Sequence, residues 1–376
     1  MAVRRVVLII PHTSFRKHLR VREFQLGKAL ASKYSVYYLG WLPHNPGFLS
    51  KVATQTRNLF RRISVEQVEG VNVIYVPKAQ IKSEISLRLN EWFLRSLCRE
   101  LRVEVIINAS TFHCPINKEE LNVRYLIDVV DDHFDASQRE KNYVIREMMK
   151  ADCIITITES LQRKIALLVN KGCVVIPNGV WLKQIRNLEQ TTAERIREKF
   201  NINEGFIITY IGNHHKMWGN LQFTLQAFSV FAKQTPASQL VVVGPGDEIS
   251  KLKRQHRGAN VIFTGPVDAS EIDGFFQLSD IGVVPFKLMP YTHNSLPIKA
   301  LEYCAARKIV VASKLQSLLA LRFPNTIFSE LDVREWAKKM EEAKEYKWNS
   351  AWDQLIEKYD WQLLGERLGR EIENLF

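Results

Sequence analysis

The sequence predicts an α/β protein made of two doubly wound parallel-sheet domains. Three observations carry that expectation. Short apolar, β-branched runs alternate with amphipathic stretches; the alternation pauses once, after Pro177-Asn178-Gly179, and then restarts; and 376 residues are more than one ordinary core accommodates.

The first series of strand-like runs is VVLII at 6–10, SVYYLGW at 35–41, VNVIYV at 71–76, VEVIIN at 103–108, VRYLIDVV at 123–130, CIITI at 153–157 and CVVIP at 173–177. Amphipathic stretches at 21–34 and 85–101 separate some of them and read as the helices of βαβ units. A turn dipeptide and a charged stretch to about Phe200 follow. The pattern resumes with FIITYIG at 206–212, QLVVVG at 239–244, NVIFTG at 260–265, IGVVPF at 281–286 and KIVVAS at 308–313. The expected division is 1–179 and 180–351, with a helix over about 352–376 closing back on the first domain through Trp352, Leu355, Tyr359, Leu363, Leu364 and Leu368. In such sheets ligands lie at the carboxyl ends of the strands, here facing a central cleft.

Charge is distributed unevenly. Of the 52 lysines and arginines, twelve fall in the first 62 residues against a single acid, Glu23, so the rest of the chain is almost neutral. That asymmetry predicts an anionic partner at one end. No nucleic-acid reading motif accompanies it, so specific nucleic-acid recognition is not expected. No apolar run reaches the length that spans a bilayer, and the five cysteines are scattered without a CxxC pair, which argues against a zinc site or a disulfide framework. A cytoplasmic protein, peripheral at the inner face of the membrane, is the expectation.

The most informative segment is NSLPIKALEYCAA, Asn294 to Ala306. Pro297 suits the first turn of a helix, leaving free N–H groups beside Ser295 and Leu296 that suit a diphosphate. Lys299 in that turn opposes the helix dipole unless an anion lies nearby. Glu302, three residues on, shares its face and is placed to accept from ribose hydroxyls; a plain exposed Lys–Glu pair is the competing account.

Together with ADCIITITES (151–160), VVIPNGV (174–180), YIGN (210–213), LVVVGPG (240–246), NVIFTGPV (260–267) and SDIGVVPF (279–286), this segment resembles the glycogen-synthase-like glycosyltransferases of the GT-B architecture, two Rossmann-like domains. The resemblance is stronger to the branch holding teichuronic-acid biosynthesis transferases and the xanthan glucuronosyltransferase. It implies that Gly212 and Asn213 approach a donor diphosphate, that Pro266 and Val267 hold the base, and that Lys299 and Glu302 contact diphosphate and ribose. Two departures stand out: Asn294 replaces the first of the family's two glutamates, and Asn213 and Trp218 replace its Arg and Lys pair.

In the first domain, Asp128, Asp131, Asp132 and Asp135 cluster in YLIDVVDDHFD at a predicted strand end. A carboxylate there suits deprotonation of an acceptor hydroxyl, with Asp131 or Asp132 the expected base and His133 a weaker candidate. The spacing gives no D-x-D, and His214-His215 point apart, so no metal is expected; no cofactor is implied beyond the nucleotide sugar. Arg20 and Arg22 are expected on an acceptor phosphate. The stretch 48–63 reads as a basic amphipathic helix, with Arg57, Arg61 and Arg62 opposite an apolar stripe that lies on an anionic membrane or packs on its own domain. The expected function is transfer of a sugar from a nucleoside diphosphate, UDP foremost, to a lipid-linked or polysaccharide acceptor. A UDP-sugar epimerase and a non-catalytic nucleotide-sugar-binding partner are the alternatives.

Overall fold

A computed structural model describes residues 4–12, 20–41, 64–76, 84–110, 116–135, 138–256 and 260–376. Arg57, Arg61 and Arg62, with the amphipathic stretch that carries them, lie outside the described residues. Two compact units emerge: Met1–Pro177 with Trp361–Phe376, and Asn178–Asp360.

The first unit holds strands β1 (Val6–Ile10), β2 (Ser35–Trp41), β3 (Ser64–Val68), β4 (Val71–Val76), β5 (Val105–Asn108), β6 (Arg124–Val129), β7 (Cys153–Thr156) and β8 (Val174–Val175). Their order is β3-β4-β2-β1-β5-β6-β7-β8, parallel except for β3 against β4. Its helices include α1 (Arg22–Leu30), α2 (Glu84–Leu101), α3 (Gln138–Lys150) and α4 (Glu159–Val169). Val7, Leu8, Val105, Ile106 and Leu126 are fully buried. Strands covered on both faces explain why these runs are continuously apolar rather than alternating.

The C-terminal segment differs from the expectation. A short turn of helix at Asp353–Glu357 belongs to the second unit, and the helix proper runs only over Trp361–Glu373. The break comes where Asp360 bridges Val180, which draws the backbone out of helical geometry. Leu355 and Leu363, expected inside, are exposed, while Leu364, Leu368 and Ile372 are fully buried. Gly365 allows the helix to reach α1, since a Cβ there would stand 2.5 Å from Ala29 Cβ. Tyr34 Oη donates to Gly369 O (3.1 Å) and to the Glu373 carboxylate (2.7 Å), which also receives Arg5.

The second unit holds β9 (Ile207–Ile211), β10 (Gln239–Val243), β11 (Val261–Gly265), β12 (Ile281–Val284), β13 (Ile309–Ser313) and β14 (Thr326–Ser329), all parallel, in the order β11-β10-β9-β12-β13-β14. Around it lie α5 (Leu221–Gln234), α6 (Ala269–Leu278), α7 (Ile298–Ala305) and α8 (Val333–Glu345). Phe228, Phe231, Trp336 and Met340 pack with the strands into one core. Neither β3 nor β14 was expected: SVEQV is polar and largely exposed, and TIFS is four residues without a flanking apolar run.

Candidate functional site: a lysine at the switch point of the second sheet

In the second unit the chain leaves β9 for β10 and β11 on one side and returns to β12 on the other. Reversal of this kind opens a crevice at the carboxyl ends of β9 and β12, where doubly wound folds hold ligands. Gly212 ends β9 at φ +134°, a conformation L side chains avoid. A Cβ there would stand 2.6 Å from Lys299 Nζ. The backbone of β9 and the lysine ammonium thus line the same small space.

Lys299 is carried by α7, with Pro297 capping the helix in extended geometry. Tyr303 fixes this helix: its hydroxyl donates to Thr209 O at 2.8 Å, and its ring fills the space that a Cβ on Gly282 would occupy. Asn178 donates to Leu296 O (2.6 Å) and holds the preceding loop. Among the described residues Lys299 makes no hydrogen bond and no ion pair, so the Lys–Glu pair does not form; its Nζ lies 5.2 Å from the Tyr210 ring centroid and 5.0 Å from that of Phe286. Burial lowers its pKa to about 8, with Glu302 pulling the other way. The N–H groups of Leu296, Ile298 and Lys299 also donate to nothing among the described residues. The ammonium and several amides at this helix start are therefore without a hydrogen-bonded acceptor among the described residues, and Glu302 acts on Lys299 only electrostatically.

His214 lies beneath this space, 4% exposed, with Nε2 on Val243 O (3.0 Å) and its ring edge-on to Tyr210. Burial and the charge of Lys299 lower its pKa to about 3, so it stays neutral. His215 turns the other way and stacks on Trp218, at 4.1 Å and 14°. Glu302 is buried. Pro266 is exposed after β11, followed by buried Val267.

In the first unit the carboxylates separate into distinct roles. Asp128 is buried and gripped by Arg22, whose Nε and Nη2 donate at 2.9 and 3.2 Å while Nη1 donates to Pro177 O. This corrects the reading of Arg22 as a phosphate ligand: it is 4% exposed and committed to a buried pair. Burial still raises the Asp128 pKa, against the pull of Arg22. Asp132 is also buried, with both oxygens 2.8 Å from Lys164 Nζ on α4. Asp131 is the more open carboxylate; it lines a small crevice with Ser110, Asp128 and His133, and its Oδ2 stands 3.9 Å from His133 Nε2. Burial, then the proximity of His12, pulls the His133 pKa down to about 4. Arg20 is partly buried just ahead of α1. Among the described residues no group of three His, Cys, Asp or Glu is placed to hold a metal, and no helix is long and apolar enough to cross a membrane.

The family of group 1 glycosyl transferases matches residues 205–344, the stretch that contains Gly212, His214, Trp218, Lys299 and Glu302. The chain has the GT-B fold, and residues 205–344 resemble the group 1 glycosyl transferases. The GT-B fold is shared with the sucrose-phosphate synthase of Thermosynechococcus elongatus, at TM-score 0.71 and 15% identity over 99% of each chain. It is shared too with Anabaena HepE, solved with UDP and glucose, at TM-score 0.71 and 12% identity over 98% of this chain and 99% of that one. By sequence, the chain is 28% identical over 189 residues to TuaH of Bacillus subtilis (strain 168), whose name assigns it to teichuronic acid biosynthesis as a glycosyltransferase. That match spans 49% of this chain and 46% of the relative.

Within the second unit, sequence reasoning missed the aromatic pair around Lys299 and the Tyr303 strut. Tyr210 and Phe286 end apolar strand runs and read as core there; only the fold brings them to one lysine.

Proposed function

We propose that the chain is a glycosyltransferase that binds a nucleoside diphosphate sugar, UDP-linked, in its second unit and passes the sugar to a lipid-linked or polysaccharide hydroxyl. The observation that carries this reading is Lys299: a partly buried ammonium with no hydrogen bond or ion pair among the described residues, beside a glycine-lined strand end and a helix N-terminus. The group 1 domain match and the HepE complex with UDP and glucose support the donor class. Lys299 and the amides of Leu296 and Ile298 would receive the diphosphate, with Asn213 and Ser295 beside it, Pro266 and Val267 holding the base and Glu302 the ribose. Such donors stabilise the charge that develops on the leaving diphosphate, the role a divalent cation plays elsewhere.

The proton acceptor is assigned to Asp131 rather than Asp132, because both oxygens of Asp132 are spent on Lys164. The acceptor oxygen attacks the anomeric carbon, its proton passes to Asp131, and the bond to the diphosphate breaks with its electron pair moving onto the nucleotide. Direct displacement inverts the anomeric centre. Cytoplasmic-face membrane association fits the basic excess of the first 62 residues. Titration calorimetry with UDP, GDP and ADP tests the donor class: UDP should bind and Lys299→Ala should lose it, whereas binding of none, or unaltered binding by the variant, overturns the assignment.

A further inference from the structure

The loop after β9 does more than skirt Lys299. His215 and Trp218 form a parallel stack at 4.1 Å, and Tyr291 stands 6.2 Å from the Trp218 ring on its own tilt. The stack is held rigidly. Met217 N donates to His215 Nδ1 (3.2 Å), which leaves the Nε2 side toward Asp247 at 3.5 Å. Gly219 N closes a turn onto His215 O, and Lys287 N donates to Trp218 O at 3.0 Å. Lys287 Nζ donates to Lys216 O, tying the loop a second time to the segment after β12. Phe286, the neighbour of Lys287, is the ring beside Lys299. The result is an ordered aromatic surface next to the ammonium, with Met217 and Leu288 exposed around it.

Sheet order says what that surface faces. If the diphosphate lies on Gly212 and Lys299, the base held after β11 is two strands away on the β10 side. Strands lie about 4.8 Å apart, so the base end is roughly 10 Å from β9. Trp218, bonded to the segment after β12, lies toward the opposite side, where the group beyond the second phosphate must go. We propose that Trp218, backed by His215 and flanked by Tyr291, is the stacking surface for the sugar ring of the donor and sets which sugar is accepted. A pyranose presents a face of C–H groups that matches the negative face of an indole. The proposal rests on the donor reading above and deepens it. It also accounts for an aromatic residue where a lysine would otherwise serve the diphosphate: Lys299 supplies the charge, which frees this position to contact the sugar.

Dissociation constants for UDP and for UDP-glucose, UDP-N-acetylglucosamine and UDP-glucuronate test it on the full chain. Wild type should bind at least one of the three sugar nucleotides more tightly than UDP. Trp218→Ala should erase that preference, a loss of about five- to tenfold, while leaving UDP affinity within about twofold of wild type. Trp218→Phe should keep most of the preference, and His215→Ala, which removes the backing ring without touching the ligand, should weaken it in part; unchanged melting temperatures show the variants folded. An equal loss for UDP and the sugar nucleotides makes the surface a base or diphosphate contact and overturns the proposal, as does no loss for either or the absence of any preference in wild type. Failure of wild type to bind UDP at all overturns the donor reading, and this proposal with it.

Discussion

Replacing Lys299 with methionine should stabilise the unliganded protein while removing its hold on a diphosphate. Burial lowers the lysine from 10.5 to about 8, which at about 1.4 kcal/mol for each pH unit corresponds to about 3 kcal/mol in a dry site. Lys299 keeps some solvent contact, so screening reduces this to about 1–2 kcal/mol. At pH 7 the lysine is charged in both folded and unfolded chains, and the full cost is present. Between pH 8 and 10.5 the unfolded chain holds a proton that the folded one has shed, so wild-type stability rises with pH across that window and the advantage of the variant disappears. Methionine keeps the unbranched stem of the side chain, one atom shorter, without the charge. Differential scanning fluorimetry at pH 7 should show the variant melting roughly 3–6 °C higher without ligand. Saturating UDP, at one hundred times its dissociation constant, should stabilise wild type by about 2.7 kcal/mol and the variant not at all. A lower melting temperature in the unliganded variant would make the ammonium structural, and an equal gain with UDP would place the diphosphate elsewhere.

The same pKa sets a pH dependence: UDP affinity should fall by about fivefold between pH 8 and pH 9 as the free lysine loses its proton, until the pKa of the complex is passed, and a flat calorimetric profile would exclude Lys299 as the ligand. Gly212→Ala forces a Cβ to 2.6 Å from Lys299 Nζ at φ +134°, so UDP affinity should drop by at least about tenfold with the far-UV circular dichroism spectrum retained. Asp131→Asn should stop sugar transfer without changing UDP affinity, while Asp132→Asn should lower the melting temperature by stranding Lys164; the reverse pattern would move the base to Asp132. Arg22→Met leaves Asp128 buried and unpaired, for which urea unfolding should register a loss of about 3–5 kcal/mol.

Much of the fold was legible because buried parallel strands announce themselves as apolar runs, and VVLII, FIITYIG and KIVVAS each became a strand at nearly the expected bounds. What escaped lacked that signature. β3 is an exposed antiparallel edge, visible only through its pairing with β4. The helix break at Lys358–Asp360 depends on a bridge to Val180, which no local periodicity records. At the candidate site, Lys299 was readable from a conflict with the helix dipole, a local property. The capture of Asp128 by Arg22 was not, because residues 106 positions apart in sequence meet only once β1, β5 and β6 are in register. Basic residues grouped near one another in sequence can have opposite fates: one becomes an internal strut, and only the fold says which.

The route of the chain through the first unit bears on how the protein is made. Its sheet is assembled from residues before Pro177, yet the side of α1 that would take up Leu364, Leu368 and Ile372 has no partner until Trp361–Glu373 arrives. In chain order the whole of Asn178–Asp360 is made between that sheet and the helix that covers α1. The unit whose synthesis begins first is therefore the one whose chain is completed last. The Ala29–Gly365 approach, spanning most of the polypeptide, is then among the late closures, and it is the step at which a chaperone would have most to shield.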